Sequence, residues 1–195
     1  MLTKTQLKIL VYLIDHQDEL LGIRELAKRI SVVYYLVQKN VQRLKEKNII
    51  TLQKAGRTSI IRISSEVEPS YLLEAERFKK ELFYQKYPHL KVISKKIIQQ
   101  MASSFFVLLV FGSYASGNPR KDSDLDLLII TPKPKNAERT IRSIARTSTI
   151  DIHETIVTEK SFLSMLQKKE LNVALEAEMN HILIYGTENF YKLTS

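Results

Sequence analysis

Two apolar runs dominate the second half of the chain: FFVLLVF at residues 105–111, and LDLLII at 125–130, interrupted only by Asp126. Runs this short and this apolar, bounded by polar turns, read as strands buried on both faces. A sheet of that kind must have helices over both sides. The flanking sequence supplies them. Ile93, Ile97, Ile98 and Met101 give residues up to 103 a helical apolar face. Helical patterns follow at 137–146, 161–167, 173–180 and 188–193, with further strands at 150–157 and 182–185. Only five glycines occur in 195 residues, so the two between the apolar runs, Gly112 and Gly117, mark a required turn.

The first 65 residues are patterned differently. Thr3 and Gln6 have capping-box spacing ahead of a helix over 3–15, with Leu7, Leu10, Val11 and Ile14 on one stripe. Ile23, Leu26, Ala27 and Ile30 repeat the spacing. Ser31 is expected to cap a third helix whose Val33, Leu36, Val37, Val41 and Leu44 face inward. Strands at 49–52 and 59–63 follow, joined through Lys54, Ala55, Gly56 and Arg57. The expected fold is therefore α+β, in three parts. Residues 1–65 form three helices and a β-hairpin. Residues 66–87 form a helical linker, the helices being broken at Pro88. Residues 88–195 form an α/β domain with a mixed sheet flanked by helices.

Charge divides along the same line. Net charge is +9, yet residues 1–65 hold 12 Lys/Arg against 5 Asp/Glu, and the remainder 18 against 16. A basic N-terminal part suits a polyanion. The third helix carries Tyr34, Tyr35, Gln38, Lys39, Gln42 and Arg43 off its apolar stripe, groups that reach base edges and phosphates. Lys54 and Arg57 at the hairpin tip suit the flanking backbone. Residues 3–64 resemble winged helices of bacterial and archaeal regulators, which implies DNA binding and commonly a homodimer; the fold also serves protein docking. The chain has no cysteine, which excludes disulfides, thiolate metal sites and a cysteine nucleophile. Without a membrane-length apolar run, the expectation is a cytoplasmic protein that does not touch a membrane.

The chemistry is concentrated in VFGSYASGNPRKDSDLDLLII, residues 110–130. Strand alternation puts Asp124 and Asp126 on one face. Two adjacent carboxylates repel unless a cation joins them, and Mg²⁺ takes one or two carboxylates together with phosphate oxygens. Gly112 lets the backbone approach a phosphate, and Ser113 offers a hydroxyl and an N–H at a helix start.

Gly112, Ser113, Gly117, Ser123, Asp124, Asp126 and Leu127 stand in the order of a known signature. The segment over about residues 90–193 resembles the minimal nucleotidyltransferases of the DNA polymerase-β superfamily. The resemblance implies two Mg²⁺ ions, with Mn²⁺ as a substitute, and an NTP, ATP foremost. Asp124 and Asp126 would be metal ligands and catalytic groups, and Gly112, Ser113 and Ser123 nucleotide-binding groups. It also implies a third carboxylate on a neighbouring strand, for which Asp151 is the candidate and Glu154 its competitor. His153 shares the expected face of Asp151, as a substrate contact or a structural group. Where the family often has an arginine in the Gly-Ser loop, this chain has Ser116. Arg139, Arg142 and Arg146 share one helix face, a solvated surface or a contact for phosphates. The implied reaction moves an NMP to an acceptor hydroxyl on a protein, a small molecule or RNA. The alternative is a DNA-binding regulator, or an antitoxin paired with a toxin protein, whose nucleotidyltransferase domain binds without turnover.

Overall fold

A computed structural model describes every residue except 57, 102, 104, 169–171 and 195, together with the side chains of Ala55 and Thr58. The chain forms two compact units, Met1–Lys79 and Lys80–Ser195. The division falls inside one helix.

The first unit holds α1 (Lys4–Asp15), α2 (Ile23–Arg29), α3 (Tyr34–Glu46), β1 (Ile50–Ala55), β2 (Thr58–Ile63) and the start of α4 (Pro69–Lys86). The capping box forms as its spacing predicts. The Gln6 N–H donates to Thr3 Oγ1 at 3.3 Å, and the Thr3 N–H donates to Gln6 Oε1 at 2.9 Å. β1 and β2 pair antiparallel from Ile50↔Ile63 to Ala55↔Thr58, and a single bridge joins Gly22 to Ile60. Leu10, Leu26, Val37, Val41, Leu44, Ile49 and Ile61 make the core. The buried Lys79 ammonium meets the Asp15 carboxylate, tying α4 to α1.

Ser31 does not cap α3. It has φ 53° and closes α2 instead: its N–H donates to the Lys28 carbonyl, and the Val32 N–H to Ala27. That pair of bonds is a Schellman ending, with Ser31 in the left-handed position usually given to glycine. Asn48 does the same for α3 at φ 56°. Helix α3 consequently starts at Tyr34 without a side-chain cap. Val33 and Leu36, expected inside, are exposed, and the buried face is Val37, Asn40, Val41 and Leu44.

The second unit continues with α5 (Pro88–Gln100), β3 (Val107–Val110), α6 (Gly112–Ala115), β4 (Leu125–Ile130), α7 (Pro134–Ala145), β5 (Ile152–Val157), α8 (Glu159–Leu166), α9 (Val173–Met179), β6 (Ile182–Tyr185) and α10 (Thr187–Thr194). Sheet order is β5-β4-β3-β6. Only β4 and β5 are parallel, with Leu125↔Ile152 through Ile130↔Val157. Alternation sends Leu108, Val110, Leu125, Leu127 and Ile129 to one face, where they meet residues of α5 and α7. Val107, Leu109, Leu128 and Ile130 go to the other, against residues of α8, α9 and α10. The fold is thus α+β with a mixed sheet between helices. Among the described residues no helix is long and apolar enough to cross a membrane. Strand β3 is shorter than its apolar run, because Phe105 lies outside it and is exposed.

Gly186 ends β6 at φ 77°, and a Cβ there would sit 2.3 Å from the Phe106 carbonyl oxygen. Gly186→Ala is expected to destabilise the protein by more than about 1 kcal/mol, from the φ alone and more from the clash. Chemical denaturation against wild type measures it.

Candidate active site

The site is built at the end of β3 and the start of β4. The Phe111 N–H donates to the Asp126 carbonyl at 3.1 Å, which closes the two strands at that end. The chain then turns through Gly112 at φ 67° into the single turn of α6. A Cβ on Gly112 would lie 2.3 Å from Asp126 Oδ2, so the bare glycine is what admits that carboxylate. The first-turn N–H groups of α6 have no partner within the helix, and Ser113 beside them is half-buried.

Around this point the loop is fastened from several directions. Tyr114 is buried, and its ring packs edge-on to Tyr87 at 5.2 Å. Burial pushes its phenol pKa up, with the Tyr87 phenol adding to the effect. Lys86 Nζ donates to the Gly117 carbonyl at 2.7 Å. The Ser116 hydroxyl donates to the Ser113 carbonyl at 3.0 Å, and the Asn118 N–H donates to the same oxygen at 3.0 Å. Lys86, Tyr87 and Tyr114 escaped sequence reasoning because two of them lie outside any motif, on or beside α4. Only the packing shows what they hold.

Ser123 has a defined local task. Its Oγ accepts the Arg120 N–H at 2.8 Å, and its own N–H donates to the Arg120 carbonyl, so the turn delivers Asp124 to the head of β4. Asp124 is exposed, whereas the Asp126 side chain is about one quarter exposed. The Leu125 N–H donates to the Asp151 carbonyl at 2.8 Å, locking β5 beside β4.

Register settles which residues share a face. Asp126 pairs with His153, and Leu127 with Glu154. The ladder begins at Leu125↔Ile152, and Asp124 and Asp151 each stand one residue before it. Asp126 and His153 touch, Oδ1 to Nδ1 at 3.2 Å. Glu154 points to the opposite face of the sheet, with Leu127. Asp151 lies one residue before the strand proper, exposed. Among the described residues no three His, Asp or Glu side chains come together as a ready metal cage. Asp124, one residue before β4, and Asp126, seated against Gly112, both offer hard carboxylate oxygens. Two carboxylates completed by phosphate oxygens are the usual provision for Mg²⁺.

The basic stripe of α7 stands apart. Arg139, Arg142 and Arg146 are exposed on the outer side of a helix that packs on the Leu125–Leu127–Ile129 face, opposite the side to which Asp126 points.

In the first unit Tyr34, Tyr35, Gln38, Lys39, Gln42 and Arg43 are all exposed on α3, and Lys54 is exposed on β1. Tyr35, Gln38, Lys39 and Gln42 line one shallow concavity with Ile23 and Leu52. Arg57 lies outside the described residues.

The family comparison bears on the second unit. Residues 94–177 match the nucleotidyltransferase domain family. The matched segment runs from within α5 to within α9. It contains Gly112, Ser113, Asp124, Asp126 and Asp151, so the loop and both strands of the site lie inside it. The crystal structure of AF1382 from Archaeoglobus fulgidus is similar over 42% of this chain and 88% of its own, at 18% identity. Its TM-score is 0.35. No curated protein matches the chain.

The seat of Asp126 can be tested as a coupling. Gly112→Ala is expected to destabilise by about 1–3 kcal/mol. The loss should shrink by at least about 0.5 kcal/mol in an Asp126→Ala background, where the opposing carboxylate is gone. A double-mutant cycle in urea reads the difference.

Proposed function

We propose that the second unit is a Mg²⁺-dependent nucleotidyltransferase that moves an NMP from an NTP, ATP foremost, to an acceptor hydroxyl. The observation that carries this reading is the close approach of Gly112 to Asp126. The left-handed Gly112 at the strand end lies against the Asp126 carboxylate and opens α6, whose first N–H groups have no partner within the helix. Amides suit a triphosphate and carboxylates suit a cation, so both halves of a metal-nucleotide complex find partners at one place.

When bound, two Mg²⁺ ions, or Mn²⁺ in their place, would neutralise the triphosphate and make the acceptor oxygen a better nucleophile. The remaining work falls to the chain. Asp124 and Asp126 would hold the metals and Asp151 would complete the set, favoured over Glu154, which points to the opposite face of the sheet. The N–H groups of Gly112 and Ser113 would hold phosphate oxygens, and the Ser113 hydroxyl would add a donor. Ser123 would act by shaping the turn that presents Asp124. His153 would orient Asp126 through the 3.2 Å contact.

The first unit is read as a winged helix that binds duplex DNA through α3, with Lys54 and Arg57 on the flanking backbone, commonly as a homodimer. Its order of three helices and a hairpin supports this, as does the run from residue 26 to residue 45, which holds Lys28, Arg29, Lys39, Arg43 and Lys45 and no acid.

Calorimetric titration of Mg²⁺ with each non-hydrolysable NTP tests the enzyme reading. Wild type should bind one NTP at micromolar concentration only with Mg²⁺ present. Asp124→Asn with Asp126→Asn should weaken that binding at least about tenfold, a loss of about 1.4 kcal/mol. Absence of binding by the wild type to every NTP would leave the regulator or toxin-masking account in its place.

A further inference from the structure

The first turn of α3 has a surface that its polar residues do not explain. Val33 is 75% exposed, Tyr35 71%, Leu36 42% and Tyr34 40%. Four consecutive apolar or aromatic residues at a helix start, in a unit with an ample core elsewhere, are not solvent-facing by default. Sequence periodicity assigns Val33 and Leu36 to the core. The Schellman ending at Ser31 is what delays the helix and turns them outward.

Cationic groups flank this apolar tip. On one side a shallow concavity is lined by Arg24, Lys28, Ser31 and Tyr34, with the Arg24 guanidinium 5.7 Å from the centre of the Tyr34 ring. On the other, Tyr35 leads into the concavity of Gln38, Lys39 and Gln42. A second copy or a protein partner docked on an apolar tip would have to bury these cations or answer them with acids. A major groove answers both features at once, with phosphates along its walls and, on its floor, one apolar group among the bases: the C5-methyl of thymine. The N-terminal residues of a recognition helix are the ones that reach base edges.

We infer that Val33, Tyr35 and Leu36 form a thymine-methyl reader, so that the DNA site of this protein carries thymines at fixed positions where the start of α3 enters the major groove. The inference rests on the DNA-binding reading of the first unit and is independent of the nucleotidyltransferase site. Gln38 and Gln42, one and two turns further along, are left for adenine edges, to which glutamine bonds in bidentate fashion. Lys39 and Arg43 are left for phosphates and guanine edges. The division predicts a site rich in A·T pairs rather than one read through guanines alone.

The experiment selects duplexes from a random library with the full chain, then replaces each fixed thymine by deoxyuridine, which removes the C5-methyl and nothing else. Affinity is read by fluorescence anisotropy at fixed salt. Each methyl contacted should be worth about 0.8 kcal/mol, or roughly a fourfold loss on replacement. Val33→Ser with Leu36→Ser should bind the thymine and deoxyuridine duplexes alike, both substitutions being at exposed positions that the core does not need. Sequence-specific binding that is indifferent to deoxyuridine would overturn the methyl reader while leaving DNA binding in place. Absence of binding to any duplex, even at low salt, would overturn both. Sedimentation showing a dimer that Val33→Ser with Leu36→Ser dissociates, with deoxyuridine still without effect, would assign the tip to a second copy instead.

Discussion

The Asp126 carboxylate lies where any β-carbon on Gly112 would lie. With 2.3 Å between that imagined Cβ and Oδ2, the loop and the strand could not both hold their positions around an ordinary side chain. The φ of 67° acts in the same direction, since L-residues resist it. One glycine therefore does two things: it turns the chain out of β3, and it lets backbone amides and a carboxylate occupy one small space. Amides and a carboxylate can attract one another directly; under the proposed function a phosphate would take the amides and a cation the carboxylate.

What surrounds that contact fixes it in place. The Phe111–Asp126 backbone bond holds the loop to β4, the Leu125–Asp151 bond holds β4 to β5, and Tyr114 anchors α6 among the side chains of the core. The outer loop is tied by Lys86 at Gly117. The candidate side chains, from half-buried Asp126 to exposed Asp124, thus stand on backbone that is itself bonded and packed, and a binding site needs that rigidity to avoid losing affinity to its own disorder. Parallel pairing of β4 with β5 adds a consequence. Because facing residues in the ladder share a face, the register that seats Leu125 beside Ile152 also sets His153 against Asp126 and turns Glu154 away.

The sequence made some of this legible and hid the rest for physical reasons. Strand alternation was enough to separate Asp126 from the Leu125 and Leu127 face, and apolar runs were enough to locate β3 and β4, because period and burial are written residue by residue. The capping box of α1 was legible for the same reason, being a local bond between side chains three apart. The start of α3 was not. Its apolar spacing runs on through Val33 and Leu36, and nothing in composition tells that Ser31 would take a left-handed conformation to finish α2. The stripe of α1 was caught only in part: Ile9 and Leu13 are buried alongside Leu10 and Ile14, while Leu7 and Val11 pack at the margin. Lys86 and Tyr87 were invisible because their partners, Gly117 and Tyr114, lie about thirty residues away, and pairings at that distance exist only once the fold does.

Asp151 is exposed one residue before β5, and the described residues form no three-membered cage. A site meant to hold a structural ion permanently would gather its ligands in advance, since the protein alone must meet the whole coordination demand. A site that takes its ions together with a triphosphate has no such need. The substrate brings several of the oxygens, and preassembling three carboxylates without it would add repulsion that destabilises the free protein. An incomplete cluster beside an amide-bearing glycine turn is therefore compatible with the proposed function, in which cation and nucleotide arrive as one. Under the proposed function the exposed Asp151 side chain would close on the complex rather than wait for it.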